Sequence, residues 1–291
     1  MVKIQIGAAI NASFRFIGEA WTRSWGVMLV LVWFTAMLAV VQLIRPEWGG
    51  AVTPLGTVVT LFLSTAATGA LYRLRLTESH PGDDAFAPGP AGFKWGALEW
   101  RVMGANVLVG LVIGVVLVIA VIVWAIAFGI TASTTGAADV QLLEGDDQSA
   151  KMEAFYRLLL GPAGVVTALI GIPMALGLFW LSAKLALVAP QAADTGRFNF
   201  GTAWALTRGA VLPLIVASIV IFFMQVVISA VFGGVAGFFA GLTGHVGQGS
   251  AWGGVLGETI SAAINIPLFA GLVLYVYRTQ RGDPGVAATF S

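Results

Sequence analysis

Cysteine is absent from the 291 residues of this chain, and histidine occurs only as His80 and His245. The first absence excludes disulfides, thiolate nucleophiles and cysteine-ligated metals, and two histidines are too few for a histidine-based metal site. Charged residues are scarce too, at 10% with a net charge of +1, whereas about a quarter of a soluble domain is charged. No basic face is available for nucleic acid, so we predict no nucleic-acid partner and no cofactor.

Apolar residues take the place of the missing charges, at 58% of the chain, and the mean hydropathy is +0.91. About 20 apolar residues cross the hydrocarbon core of a bilayer as a helix. Six stretches reach that length, namely residues 26–44, 52–72, 102–131, 158–188, 210–240 and 253–277. The segments between them are too short to bury a core. The sequence therefore predicts an all-α, polytopic transmembrane helical bundle with six spans, forming a single membrane domain over residues 1–291 in a lipid bilayer.

Basic residues are unevenly distributed among the segments that flank these spans. Three lie on one side, at Arg45, Lys151 and Arg157. The other twelve lie on the side that holds both termini and are Lys3, Arg15, Arg23, Arg73, Arg75, Lys94, Arg101, Lys184, Arg197, Arg208, Arg278 and Arg281. Because cytoplasmic loops carry the excess of Lys and Arg, we predict that both termini are cytoplasmic.

A helix with one apolar face precedes the first span. Its apolar residues, at steps of three and four, are Ile6, Ile10, Phe14, Ile17, Trp21 and Trp25. Such a stripe is typical of a helix that lies in the headgroup plane. An ordinary helix packed on the bundle has the same pattern, and the two interpretations are compatible.

Two kinds of segment recur along the chain, which indicates an internal repeat. The fourth and sixth spans end with equal intervals, as Ile172-Pro173, Gly177 and Lys184 and as Ile266-Pro267, Gly271 and Arg278. An amphipathic piece with an aromatic residue, a glycine, a tryptophan and an arginine precedes each odd-numbered span, at residues 16–23, 93–101 and 198–208. We predict three parallel repeats of an interfacial helix plus a two-span hairpin, over about 3–76, 92–190 and 195–281. Many secondary transporters have inverted repeats instead.

Small and polar residues recur at steps of four in the last two spans. In the fifth span they are Gln225, Ser229, Gly233, Gly237 and Gly241, and in the sixth they are Gly253, Gly257, Ser261 and Asn265. Small residues at this spacing let helix backbones approach in lipid, so we predict a packing seam whose two amides meet directly or through water. The alternative is a substrate or ion site on those amides.

Two further features of the spans carry polar groups. Glu258 lies about one turn inside the sixth span, where we expect an outer-interface residue rather than a proton carrier. Pro173 and Pro267 each free a backbone carbonyl one turn earlier, which can serve a hinge or an ion or simply accompany a kink.

Residues 182–190 (SAKLALVAP) and 200–209 (FGTAWALTRG) form a pattern in which a span end rich in basic and small residues leads through a proline to a short amphipathic helix. This pattern resembles uncharacterised bacterial polytopic membrane-protein families related to the membrane domain attached to some glycerophosphodiester phosphodiesterases. The resemblance covers residues 170–215 and implies a protein of the bacterial cytoplasmic (inner) membrane. It implies no catalytic residue, because the phosphodiesterase chemistry belongs to a soluble domain that this sequence does not contain.

Three classes of function remain open at this point. A non-enzymatic component would act as scaffold, regulator or accessory subunit in envelope or lipid homeostasis, with other membrane proteins or a second copy as partners. A transporter or channel would need a polar path near Gln225, Glu258 and Asn265. A membrane enzyme would need catalytic groups from separate spans, and the sequence carries no recognisable catalytic motif. Few polar residues lie in the spans, so we favour the first class.

Overall fold

The computed structural model describes residues 4–135, 148–242 and 246–282. Within these ranges the chain forms ten α-helices and no β-strand, which confirms the predicted all-α class. The helices are α1 (Ile6–Arg23), α2 (Trp25–Ile44), α3 (Gly49–Leu76), α4 (Ala97–Thr135), α5 (Gln148–Leu160), α6 (Pro162–Leu185), α7 (Val188–Thr195), α8 (Phe200–Leu206), α9 (Val211–Leu242) and α10 (Val246–Arg281).

Six helical stretches are long and apolar enough to cross a membrane. They are Trp25–Ile44, Val52–Leu76, Pro90–Thr134, Gly164–Thr195, Val211–Val235 and Trp252–Arg281. Each one overlaps one of the six apolar stretches of the sequence. A backbone in lipid must satisfy its hydrogen bonds internally, and a long helix does so along its whole length.

The described residues fall into two compact units. One unit comprises those up to Val107 and those from Ala183 onward, and in it α10 packs against α1, α2, α3 and α9. Large buried side chains of this unit include Phe16, Leu71 and Leu272. The other unit comprises the described residues between Leu108 and Ser182, which belong to α4, α5 and α6.

The N-terminal helix α1 packs on the bundle through a face made mainly of small residues. Its buried residues are Ala9, Ala12, Ser13, Phe16 and Ala20. A Cβ at Gly271 of α10 would lie 3.1 Å from the Ser13 Cα, so the two backbones are in close contact. Part of the predicted apolar stripe faces outward, since Phe14 is 39% exposed. Helix α1 is thus a bundle-packed helix whose outer side carries Phe14 beside the polar residues Asn11 and Arg15.

The carbonyl that Pro267 frees is used within the protein. Proline at 267 removes the amide donor for the carbonyl of Ala263, one turn earlier in α10. The indole Nε1 of Trp21 in α1 donates a hydrogen bond to that carbonyl at 3.1 Å. The proline therefore creates an acceptor through which α1 is joined to α10.

Candidate functional site

The two stripes of small residues lie against each other where α9 meets α10. A Cβ at Gly253 would lie 2.7 Å from the Gly233 Cα, so a side chain there would displace backbone. One turn towards Asn265 the contact is looser, because a Cβ at Gly257 would lie 3.5 Å from the Ser229 Cβ, an ordinary van der Waals separation. We call this contact the α9–α10 seam. Gly237 and Gly241 continue the stripe on α9, but their contacts lie outside the described residues.

The seam ends in three polar side chains that bond to one another. Nε2 of Gln225 donates to the hydroxyl of Ser261 at 2.6 Å, and Nδ2 of Asn265 donates to the same oxygen at 2.7 Å. The two amides thus meet through a side-chain hydroxyl. The bond from Gln225 to Ser261 joins α9 to α10, and a bond of this kind is worth about 0.6–2 kcal/mol in a membrane, which is enough to fix the register of two helices.

A cavity of 280 Å³ lies in the same unit and shares Asn265 with this triad. Its polar lining comes from Thr68 and Tyr72 of α3, Asn106 of α4 and Asn265 of α10, and its apolar lining includes Phe269. Thr68 and Tyr72 are four residues apart and therefore share one face of α3. None of the described residues that line this cavity is charged. We call it the neutral cavity.

The polar groups around the neutral cavity are largely unused by the protein. Thr68, Tyr72 and Asn106 make no side-chain hydrogen bond to any described residue, and the carbonyl oxygen of Asn265 has no described donor. Tyr72 is only 4% exposed. Buried tyrosine hydroxyls normally have a partner, because an unpaired one loses its hydration without compensation. The cavity thus brings together donors and acceptors that make no hydrogen bond within the described part of the chain.

A buried ion pair joins the end of α3 to the start of α4. The Arg73 side chain is 1% exposed and that of Glu99 is fully buried. Arg73 donates to Glu99 at 2.6 Å and to the carbonyls of Ala85 and Lys94. The backbone N–H of Gly96 also donates to the Glu99 carboxylate, at 2.8 Å. Paired and hydrogen-bonded in this way, the two charges are tolerated in the interior.

A second polar cluster ties α3, α7 and α10 together. Asp194 of α7 is buried, accepts a hydrogen bond from the Tyr277 hydroxyl at 2.6 Å and forms an ion pair with Arg281. His80 lies 3.5 Å from the other carboxylate oxygen of Asp194. Nearby, Arg278 pairs with Glu78 at 2.7 Å. In the described part of the chain, no three His, Asp or Glu residues are grouped to hold a metal ion.

Sequence reasoning identified only part of these sites. Glu258 is exposed on α10, and the bonds described for Gln225 and Asn265 go to Ser261 and not to Glu258. The neutral cavity was missed, although Asn106 is a polar residue within a span and Thr68 and Tyr72 share a helix face. Helix spacing shows which residues share a face, but not which helices face one another.

No protein-family profile, curated protein or solved structure matches the chain. The function proposed below therefore draws on the contacts of the described residues and on the sequence.

Proposed function

We propose that this chain is a non-enzymatic integral protein of the bacterial cytoplasmic membrane, which acts as a scaffold, regulator or accessory subunit in envelope or lipid homeostasis. The supporting observation is how the last hairpin uses its polar groups. Gln225 of α9 donates to Ser261 of α10 and so holds the two helices in register, while Asn265 donates to the same hydroxyl from within α10. A transport path needs polar groups that are free to contact a solute, and these amide N–H groups are engaged in packing.

The buried charges support a rigid role as well. The Arg73–Glu99 pair and the cluster around Asp194 connect helix ends that are far apart in sequence. Breaking either partner of a buried pair leaves an uncompensated charge in the interior, so such pairs resist separation. A bundle whose helix ends are locked in this way is suited to holding partners in a fixed arrangement.

Two contacts support the proposed three parallel repeats. Gly271, at the end of the third repeat, packs on Ser13 and Phe16 in the amphipathic helix of the first. Gly69, at the end of the first repeat, packs on Glu99 in the amphipathic segment of the second, with a built Cβ 2.5 Å from a carboxylate oxygen. In both cases a glycine near the end of an even-numbered span packs on the amphipathic segment of another repeat. The first repeat contacts the second in this way, and the third contacts the first.

The orientation we propose, with both termini cytoplasmic, rests on the distribution of basic residues. Reporter fusions after residues 90 and 195 should give cytoplasmic signals, and fusions after residues 48 and 145 should give signals from the opposite side. The fusion after residue 145 is decisive. The predicted topology has two spans between residues 48 and 145, whereas a cytoplasmic signal at 145 would require an odd number.

A transporter or channel is the second candidate, and the neutral cavity is the observation that favours it. The cavity brings Asn106 of α4 and Asn265 of α10 to one space. Several facing polar groups within the spans are what a solute path requires.

The variant Asn265→Leu separates the two candidates. If the chain is a scaffold, Asn265→Leu loses one weak intramembrane hydrogen bond, worth about 0.6 kcal/mol. The variant should then still complement the envelope defect of cells that lack the chain. Thermal unfolding in detergent and complementation measure the two effects. Asn11→Leu, on the exposed side of α1, is the matched control. A solute flux in proteoliposomes that the wild type shows and a stable Asn265→Leu protein lacks would favour transport and contradict the scaffold.

A further inference from the structure

We infer that the neutral cavity binds the uncharged glycerol–ester region of a neutral glycerolipid of the diacylglycerol type, taken from the surrounding leaflet. The inference uses the membrane placement of the helices but does not depend on a scaffold role. Its basis is the convergence of Thr68, Tyr72, Asn106 and Asn265 on a cavity of 280 Å³.

The free hydrogen-bonding groups define the chemistry of the ligand. The hydroxyls of Thr68 and Tyr72 and the amide of Asn106 offer donors, so the ligand must carry acceptors such as ester carbonyls. The carbonyl oxygen of Asn265 is an acceptor and suits a ligand hydroxyl, since its amide nitrogen is already bound to Ser261. Diacylglycerol has two ester carbonyls and one hydroxyl, which matches this set.

The absence of charge among the described lining residues favours a neutral ligand over a phosphate. A phosphate taken out of water requires cationic partners or an array of N–H donors, because burying an unpaired charge is costly. Arg73 is the buried cation that follows the lining residue Tyr72 in sequence, and it is already paired with Glu99 and bonded to two carbonyls. A phospholipid headgroup therefore has no counter-charge in this cavity.

The size and the wall of the cavity argue against filling by water alone. Its volume corresponds to about nine waters at liquid density, which is more than one bridging water. Much of the wall is apolar, including Ile266, Phe269 and Val273, and offers those waters no hydrogen bonds. The volume lies near the lower limit for ligand pockets, about 300 Å³, so it suits one segment of a lipid whose chains remain outside.

The position of the cavity gives a route for a lipid. Asn106 is exposed and Phe269 is 41% exposed, so the cavity reaches the surface of helices that are apolar enough to span a membrane. Tyr72 lies four residues, about 6 Å, from the end of α3. Tyr72 is also the last residue of the span predicted for residues 52–72, so we place its hydroxyl near the boundary between headgroups and hydrocarbon, where the ester groups of a glycerolipid lie.

Photolabelling of the full chain in lipid nanodiscs tests this inference. The probe is a diacylglycerol with a diazirine in one acyl chain, and mass spectrometry locates the labelled residues. Labelling should concentrate next to Asn106 and Phe269 and should be displaced by excess diacylglycerol, but not by phosphatidylglycerol or by free glycerol. Tyr72→Phe, which removes the hydroxyl and keeps the ring, should weaken competition by unlabelled diacylglycerol about threefold to tenfold. Ala189→Phe should abolish specific labelling by filling the cavity.

Tyr156→Phe is the matched control, because it removes a hydroxyl from an exposed tyrosine in the other unit. Labelling that is unchanged in Tyr72→Phe and Ala189→Phe would overturn the inference and leave a cavity that holds only water. Equal displacement by free glycerol would identify a soluble polyol instead of a lipid. Displacement by phosphatidylglycerol as strong as by diacylglycerol would exclude the selection for a neutral ligand. If Ala189→Phe does not fold, Asn106→Leu at the exposed rim replaces it, with the same expected loss.

Discussion

Replacing Glu99 by glutamine should lower the free energy of unfolding by about 3–5 kcal/mol, the usual effect of removing one partner from a buried ion pair. The fully buried Glu99 carboxylate is the counter-charge of Arg73, whose side chain is 1% exposed. In Glu99→Gln the guanidinium stays buried with only neutral partners, the carbonyls of Ala85 and Lys94 among them. Thermal and denaturant unfolding of the purified protein in mild detergent measure the effect.

An exposed ion pair elsewhere in the chain provides the matched control. Arg157 and Glu153 form a pair at 2.6 Å, with side chains 60% and 68% exposed. Because water and salt screen exposed pairs, Glu153→Gln should change stability by less than about 0.5 kcal/mol. The double variant Arg73→Met with Glu99→Leu should recover much of the loss, since it removes both buried charges together. If Glu99→Gln and Glu153→Gln have equal effects, burial of the Arg73–Glu99 pair has no energetic consequence.

Gly253→Ala should destabilise the α9–α10 seam by about 1–3 kcal/mol. The added Cβ would lie 2.7 Å from the Gly233 Cα and 3.2 Å from its carbonyl oxygen. These are backbone atoms of another helix, so the contact cannot be relieved by a change of rotamer and the two helices must move apart. Separation would also strain the bond from Gln225 of α9 to Ser261 of α10. Thermal unfolding in detergent is again the measurement.

The neighbouring Gly254→Ala is the control for the Gly253 variant, because a Cβ at 254 would have no other atom within 4 Å. Alanine has the higher helix propensity, so this variant should be neutral or more stable by about 0.5–1 kcal/mol. Loss of stability in both variants would mean that the contact with Gly233 does not cause the loss, since Gly254 makes no such contact.

The features of the fold that depend on one helix at a time could be predicted from the sequence. The span of α2 was predicted as 26–44 and the helix covers Trp25–Ile44, because hydropathy and length determine a span without reference to its neighbours. The stripes that contain Gly233 and Gly253 were recognised for the same reason, since their spacing of four is a property of each helix alone.

The features that depend on several helices could not be predicted in this way. Arg73 was counted only as a basic flank, yet it is buried against Glu99, 26 residues away. Tyr72 ends a predicted span, and its spacing did not show that it lines a cavity with Asn106 and Asn265. In α1 the sequence indicated a stripe of large apolar residues that either the headgroup plane or the bundle could cover, and the face buried in the bundle consists mainly of small residues outside that stripe. Apolar side chains on a membrane helix are stable against lipid as well as protein, so hydrophobicity alone does not identify the packed side.

The hydrogen bond from Trp21 to the Ala263 carbonyl spans 242 residues and has a consequence for how the protein is made. A ribosome that adds about 5–20 residues per second needs roughly 12–50 s to produce the partner of α1 after α1 itself has emerged. Throughout that interval α1 lacks its partner α10, and the exposed Phe14 can contact the bilayer surface. Docking of α1 on α10 therefore follows the synthesis of α10. A chain whose translation stops before α10 lacks the contact between α1 and α10. This difference lets a membrane protease distinguish it from the finished protein.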